Sequence, residues 1–271
     1  MERFGDVTFA VANHVATVTI DRPHARNALS EDVRAGLDAS LERIRAGAGD
    51  AIRSVVLTGA GGAFCAGGDI GTLVEFAGRP AAATRRRMRD AHDRVRTLIN
   101  LDLPVIAAVD GAAAGAGFSL ALACDFILAS PRARFIMSFA RIGLVPDWGA
   151  FWLLPRIVGL QMAKELVFSA RTVDTEEAAA LGIVHRIHPA EELAAAAQAF
   201  AERFNDASPL AIGLAKQALN RSFQSDLDAM LDAEASGQAL ANNSAYHRDA
   251  AERFLAKEPL AFAWERYEKD S

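Results

Sequence analysis

Cysteine is scarce in this chain. Cys65 and Cys124 are too few to staple a disulfide framework, and they form no CxxC pair. Each reads as a small buried apolar residue. Basic charge is not in excess either: 29 Lys and Arg stand against 34 Asp and Glu, for a formal net charge of -5. A chain so balanced lacks the positive field that a phosphate backbone requires, which excludes nucleic acid as a partner. No stretch approaches the roughly 20 apolar residues of a membrane span, and "MERFGDVTFAVANHVATVTI" lacks a basic start followed by an apolar run. The expectation is a soluble, cytoplasmic protein without membrane association. The six histidines never fall at HxH or HExxH spacing. His185 and His188, the nearest pair, lie in an apparent strand "GIVHRIH", where positions three apart face opposite sides, so no metal is expected.

Apolar residues, by contrast, are abundant, at 51% of 271. That suffices for one substantial domain, or one domain with a smaller C-terminal element. "VTFAV" and "VATVTI" alternate as strands do, with "ANH" as a hairpin connection. Ser30 is a good N-cap for a helix carrying Val33, Leu37, Leu41 and Ile44 on one face. "RSVVLTGAGGAFCAGGDI" reads as a buried strand breaking into a glycine loop. A polar helix follows over residues 80 to 100, in which "RRRMRD" reads as a solvated face, with phosphate steering as the alternative. "LPVIAAVDGAAAGAGFSLALACDFILAS" then repeats the grammar of strand, glycine turn, short helix and strand. From about residue 160 the chain is largely helical, with no low-complexity linker and no repeat of fixed period. The class is α/β with a helical C-terminal portion.

Glycine loops after strands raise phosphate binding, because bare backbone N–H groups at a helix start attract anions. Here "GAGGAFCAGGDI" has no GK[ST], and "GAAAGAG" lacks GxGxxG spacing, so neither a P-loop nor a dinucleotide fingerprint is present. Two such loops can instead offer one N–H each to a single carbonyl oxygen, since small residues let the main chain approach a ligand closely. That is an oxyanion hole, favoured further by the N-terminus of the helix "AGFSLALA". Gly67, Gly68, Gly115 and Gly117 read alternatively as plain turn glycines.

"FCAGGDI", "LPVIAAVDGAAAGAGFSLALACDFILAS" and "GLVPDWGAFWLLPRIVG" together resemble the crotonase superfamily of enoyl-CoA hydratases and isomerases. The likeness runs from "VTIDRPHARNALS" to "ERFLAKEP", nearly the whole chain. It implies a spiral of ββα units over residues 1–205 and a helical C-terminal region, 206–271, for oligomerisation and site closure. It further implies an acyl-CoA thioester ligand, with coenzyme A as part of the substrate and no other cofactor, and a homotrimer or a hexamer built as a dimer of trimers. The backbone N–H groups of Gly68 and Ala116 would be the oxyanion donors. An alanine stands where glycine is usual at the second position, which keeps the N–H and crowds the loop. Arg26, Ala28, Ala66, Gly68, Asp69 and Ile70 would line the coenzyme, and Lys257 would meet one of its phosphates, often from a neighbouring subunit. Read from residue type alone, Asp69 is first a loop or helix cap and Lys257 a surface lysine.

The hydratases of this family use two glutamates to hold and activate water. Those positions carry Ser119 and Phe139 here, and both fall in the expected substrate pocket with Trp148. A serine without an activator is no base, and a phenylalanine transfers no proton. Double-bond isomerisation needs a single carboxylate. Isomerases of the family place an acid in the turn after "GL", the position of Asp147, which is the expected catalytic base. Dienoyl-CoA isomerases add a glutamate at the Phe139 position. Trp148, Phe151 and Trp152 would surround Asp147 and raise its proton affinity by desolvation, although their spacing equally suits one core face of a helix. An N-cap role for Asp147 is compatible with the same turn. Two rivals stand beside the isomerase: a hydratase recruiting Ser119 with a water or Glu75, and a non-catalytic acyl-CoA-binding homologue.

Overall fold

A computed structural model describes residues 1–264. It opens with strands β1 (Glu2–Phe4), β2 (Val7–Ala12) and β3 (Val15–Ile20), an antiparallel meander. The turn between β2 and β3 is two residues, Asn13 and His14, both at positive φ (49° and 62°). That is the backbone of a mirror-image turn, which matches strand twist and which asparagine tolerates. Helix α1 (Glu31–Gly47) follows, and Ser30 caps it by accepting from the Val33 N–H at 3.2 Å. Strand β4 (Ser54–Gly59) then pairs in parallel with β3.

Two helices, α2 (Ile70–Phe76) and α3 (Ala81–Ile99), lead to β5 (Val105–Val109), which pairs in parallel with β4. A short strand β6 (Ala112–Ala114) runs into helix α4 (Ala116–Leu122), and β7 (Phe126–Ala129) returns beside β5. All five residues of β5 are buried, as expected of a parallel strand covered on both faces. Next come β8 (Arg134–Ile136), α5 (Ala150–Val158), α6 (Leu160–Ser169), β9 (Thr172–Val173), α7 (Thr175–Ala180) and β10 (Arg186–Ile187). Four helices finish the order: α8 (Leu193–Glu202), α9 (Pro209–Arg221), α10 (Leu227–Asn242) and α11 (Ala245–Ala256).

The main sheet has the order β1-β2-β3-β4-β5-β7-β10, and a second sheet has β6-β8-β9. Helix α8 covers one face of the main sheet, packing Leu193, Ala197, Phe200 and Ala201 on Val15, Val56, Ile106 and Leu128. The larger core lies on the opposite face, among β3 to β5, α1, α3 and α4. Helix α9 is tied to this body by Lys216, whose buried ammonium donates to Asp125 Oδ2 at 2.6 Å and to the Leu103 carbonyl at 2.9 Å. Burial pushes the Asp125 carboxyl up, and Lys216 opposes that shift. Among the described residues, no helix is long and apolar enough to cross a membrane.

The mixed α/β class and the helical C-terminal third agree with the sequence, and part of the 206–271 region, residues 265–271, lies outside the described residues. Within "GIVHRIH" the strand is short: Arg186–Ile187 pairs with β7, and the His185 and His188 N–H groups donate to the Ile127 and Ala129 carbonyls at 2.7 and 3.0 Å. His185 packs its ring between Phe126 and Phe200, at 5.2 and 5.4 Å.

Candidate active site

Three chain segments meet where the first two glycine loops approach one another. Cys65 donates its N–H to the Ala112 carbonyl, and Ala114 donates to the Cys65 carbonyl, both at 2.9 Å. Cys65 thus bridges in parallel to Ala113, and further on a Cβ on Gly67 would lie 3.3 Å from the Ala116 nitrogen, so the backbone just before Gly68 passes close to Ala116. Glycine is required for this proximity. A Cβ on Gly117 would lie 2.2 Å from the Cys65 carbonyl oxygen, and one on Gly67, at φ +94°, 2.6 Å from that of Ala114. The glycines therefore serve close approach of two backbones, which turns alone do not explain.

Neither critical N–H is spent on the fold among the described residues. Ala116 is the first residue of α4, so its N–H has no acceptor within the helix. Gly68 sits opposite Leu29 in an isolated parallel bridge, in which the Leu29 N–H donates to the Gly67 carbonyl. In such a bridge the N–H of the residue at the Gly68 position points away from its partner. Both N–H groups are thus left without a backbone acceptor among the described residues.

The expected coenzyme loop is fixed by a residue that inspection of the sequence overlooked. Asn27 is fully buried at φ +59°. Its Nδ2 donates to the carbonyls of Ala60 (2.8 Å) and Ala63 (2.6 Å), and its Oδ1 accepts from the Arg22 N–H (2.9 Å). Arg26 and Ala28 flank this clamp, with Arg26 exposed and Ala28 buried, and the Ala66 N–H donates to the Arg26 carbonyl at 2.9 Å. Replacing Asn27 by alanine strips three backbone groups, that of Ala63 buried and those of Arg22 and Ala60 part-buried, of their side-chain partner and is expected to cost about 3 kcal/mol. Urea denaturation followed by circular dichroism measures that loss. The signal in the sequence was an asparagine before an N-capped helix, a residue type that tolerates left-handed backbone.

Asp69 caps α2, accepting from the Thr72 N–H at 3.1 Å, and its other oxygen accepts from Arg22 at 2.7 Å. The Arg22 bond, then the cap, hold its carboxyl below the usual aspartate range. A carboxylate so engaged shapes the loop. Ile70 is 77% exposed at the mouth of that loop. Lys257 ends α11 in a left-handed conformation (φ 57°), exposed and with no acidic partner among the described residues.

Asp147 lies in the turn that precedes α5. Trp148 (φ 52°) and Gly149 (φ 83°) both take left-handed backbone, and the Ala150 N–H donates to the Asp147 carbonyl at 3.1 Å. A bulky residue at positive φ is strained, of order 1–3 kcal/mol, and such strain concentrates at functional sites. Gly149 is the N-cap of α5 and no side chain caps that helix, so the capping role for Asp147 does not hold. Instead its Oδ1 is buried without a hydrogen-bond partner. Burial raises the Asp147 carboxyl to about 6, against the opposing pull of Arg87 and then Arg34. No ion pair within 4.0 Å joins it to either arginine.

The aromatic surroundings need correction. Trp148 is buried, and its indole lines an apolar cavity of about 30 Å³ with Leu37, Ile44, Leu98 and Leu120. Phe151 is 61% exposed, and Trp152 packs under the Arg156 guanidinium at 4.0 Å. Trp148 and Trp152 both pack on the main core while Phe151 is exposed, and Trp148 lies outside the helix because the left-handed turn starts it only at Ala150. Ser119 is buried within α4, donating to the Gly115 carbonyl at 3.3 Å. Phe139 is buried in a short 3-10 turn, with its ring end beside Gly115.

Arg87 also departs from the solvated face expected of "RRRMRD". Arg85, Arg86 and Arg89 are exposed, but Arg87 is half-buried, with its Nε sealed and unpartnered. The buried series Ala91, Val95 and Leu98, carried one turn back along α3, arrives at position 87. That spacing was the signal available in the sequence. Arg34, on α1, is half-buried too, and burial, followed by the repulsion of Arg87 and Arg94, lowers its guanidinium to about 10. The described residues thus hold two N–H donors without a backbone acceptor, one buried carboxylate oxygen without a partner, and two guanidinium groups whose charge acts on that carboxylate. Such a set can hold a negative oxygen and move one proton.

Known proteins share the whole of this frame. The enoyl-CoA hydratase/isomerase family profile matches residues 10–266. The 1,2-epoxyphenylacetyl-CoA isomerase of Escherichia coli is 37% identical, over 93% of this chain and 96% of that protein. The short-chain-enoyl-CoA hydratase of Clostridium acetobutylicum is 36% identical, over 91% and 93% of the two chains. Among solved structures, an enoyl-CoA hydratase/isomerase from Cupriavidus metallidurans superposes with a TM-score of 0.92 at 43% identity, covering 97% of each chain. By profile, sequence and fold together, this chain belongs to the enoyl-CoA hydratase/isomerase family of the crotonase superfamily.

Proposed function

We propose that the protein is an enoyl-CoA isomerase that moves a double bond along an unsaturated acyl-CoA thioester. The observation that carries this reading is the lone buried carboxylate of Asp147, raised to about 6 and with Oδ1 unpartnered. In a 3-enoyl thioester, Asp147 takes a proton from the α-carbon, and the C–H electron pair spreads into a dienolate. The developing oxyanion accepts from the N–H groups of Gly68 and Ala116. The Asp147 acid then returns the proton to the γ-carbon, leaving the conjugated 2-enoyl thioester and the carboxylate restored. A base whose proton affinity lies near the working pH suits both halves of this exchange.

The two groups that the hydratase alternative would recruit are already engaged. Glu75 is exposed and paired with Arg79 at 2.5 Å, and the Ser119 hydroxyl is committed to the Gly115 carbonyl. Arg26, Ala28, Ala66, Asp69 and Ile70 would border the coenzyme, whose phosphates Lys257 would meet, and no further cofactor takes part. Exposed Leu227, Leu231 and Leu240 on α10 suit a homotrimer or a dimer of trimers, with 1–205 as the core and 206–271 as the assembly region.

Separate incubation with 3-enoyl- and 2-enoyl-CoA in deuterated water tests the reading. Expected are interconversion of the two and deuterium uptake at the α- and γ-carbons. A 3-hydroxyacyl-CoA product would overturn it in favour of hydration, and binding without exchange would mark a non-catalytic homologue.

A further inference from the structure

Around Asp147, carboxylates and guanidiniums from three helices pair off in a definite pattern. On α1 and α3, Asp38 takes both arms of Arg94, each at 2.7 Å. At the start of α2, Asp69 is held by Arg22, and at its end Glu75 is held by Arg79. Those pairs leave Arg34 on α1 and Arg87 on α3 without an acidic partner within 4.0 Å among the described residues. Of the acids, Asp147 acts most strongly on both, although Arg87 and Arg94 act more strongly on Arg34, and a Cβ on Gly149, two residues after Asp147, would lie 3.1 Å from Val95, so this turn packs against α3.

Arg87 is also fixed in place. Its guanidinium lies over the Phe76 ring at 4.7 Å, and Arg79 lies over the same ring at 4.6 Å. A planar guanidinium stacked on a ring keeps its orientation better than a free one. The aromatic end of α2 thus fixes a cation whose charge acts on Asp147 with no ion pair within 4.0 Å between them.

We propose that Arg87, set by Phe76 and aided by Arg34, is a positioning residue that holds Asp147 as a carboxylate through space while leaving its lone pairs open to the substrate. A direct salt bridge would occupy those lone pairs and weaken the base, as the Arg22 bond does to Asp69. An isolated buried carboxylate would stay protonated near neutrality, because burial disfavours the charged form. A guanidinium at a distance avoids both outcomes. The inference rests on Asp147 as the base of the proposed isomerase, but its central claim concerns the protonation of Asp147 and is measurable without turnover.

The test is a carboxyl-carbon NMR titration of protein labelled at aspartate, with Asp147→Asn assigning the resonance, alongside the pH profile of kcat on 3-enoyl-CoA. Arg87→Gln should move the Asp147 midpoint, and the acid limb of kcat, up by about one pH unit. Much of the lost turnover should return above the new midpoint. Arg87→Lys, which keeps the charge and loses the planar stack, and Phe76→Leu should each shift it part of the way, and Arg79→Gln should leave it in place. Thermal melts establish that each variant is folded. An unmoved NMR midpoint in folded Arg87→Gln overturns the proposal, as does a uniform fall in kcat with an unmoved acid limb. If the NMR midpoint moves but the wild type turns over no enoyl thioester, the isomerase reading fails and the role of Arg87 toward Asp147 stands.

Discussion

Asp147→Asn is expected to lower double-bond migration by about 10²–10⁴, the span that positioned general acid–base catalysis contributes. Asparagine keeps the shape and the buried Oδ1 but cannot accept and return a proton at neutral pH. Thioester affinity should hold within a few-fold, since the oxyanion donors and the coenzyme loop do not involve the side chain. Stability should move the other way. Burial raises the folded-state carboxyl from 3.8 to about 6, so the folded form binds the proton more tightly than the unfolded chain. That contribution favours folding below about pH 4 and is lost as pH rises through 6, so the charged group is a liability at neutrality. Removing it should stabilise the fold by up to about 3 kcal/mol above pH 6, less whatever repulsion Arg34 and Arg87 then feel. Steady-state assays with isothermal titration of a non-reactive thioester measure the first effect, and urea melts at pH 5 and pH 8 the second. A variant that is both less active and less stable at pH 8 would argue for a structural Asp147.

Ala116→Pro should cut kcat by about 10²–10³, the cost of removing one oxyanion donor. A backbone N–H cannot be deleted by truncating a side chain, but proline deletes it. Position 116 suits the substitution because it opens α4, where the N–H has no helical acceptor and proline's fixed φ is compatible with the first turn. The preceding Gly115, at φ 52° and ψ -123°, has the freedom to adapt to the new ring. Melting temperature should therefore change little while turnover collapses. Ala116→Gly is the matched control: it retains the N–H, and its turnover should stay within a few-fold of wild type. Equal losses in the proline and glycine variants would locate the effect in loop conformation.

Much of the frame could be read from residue pattern. The Ser30 cap, the continuous apolar run of β5 and the two glycine loops each obey local rules, and each forms as those rules require. Asn27 and Arg87 escaped because their roles depend on partners brought near only by folding. The Asn27 amide reaches across to the 60–63 loop, and Arg87 meets a ring from α2. The aromatic set around Asp147 misled for a related reason. Helical spacing assumes a helix throughout, and two successive left-handed residues delay its start.

What the sequence by itself determined is the inventory: an α/β chain of this family, two glycine loops that let backbones approach, and one acid where the hydratases of the family hold two glutamates elsewhere. Such features are legible because propensity, periodicity and motif are local. Only the tertiary structure decided that the Asp147 Oδ1 is buried without a partner, that Asp69 and Glu75 are already paired with arginines, and that Arg34 and Arg87 have no acidic partner within 4.0 Å among the described residues. Proton affinity is set by desolvation and by charges in space, and helices α1 and α3 bring those charges to Asp147 only when they pack together.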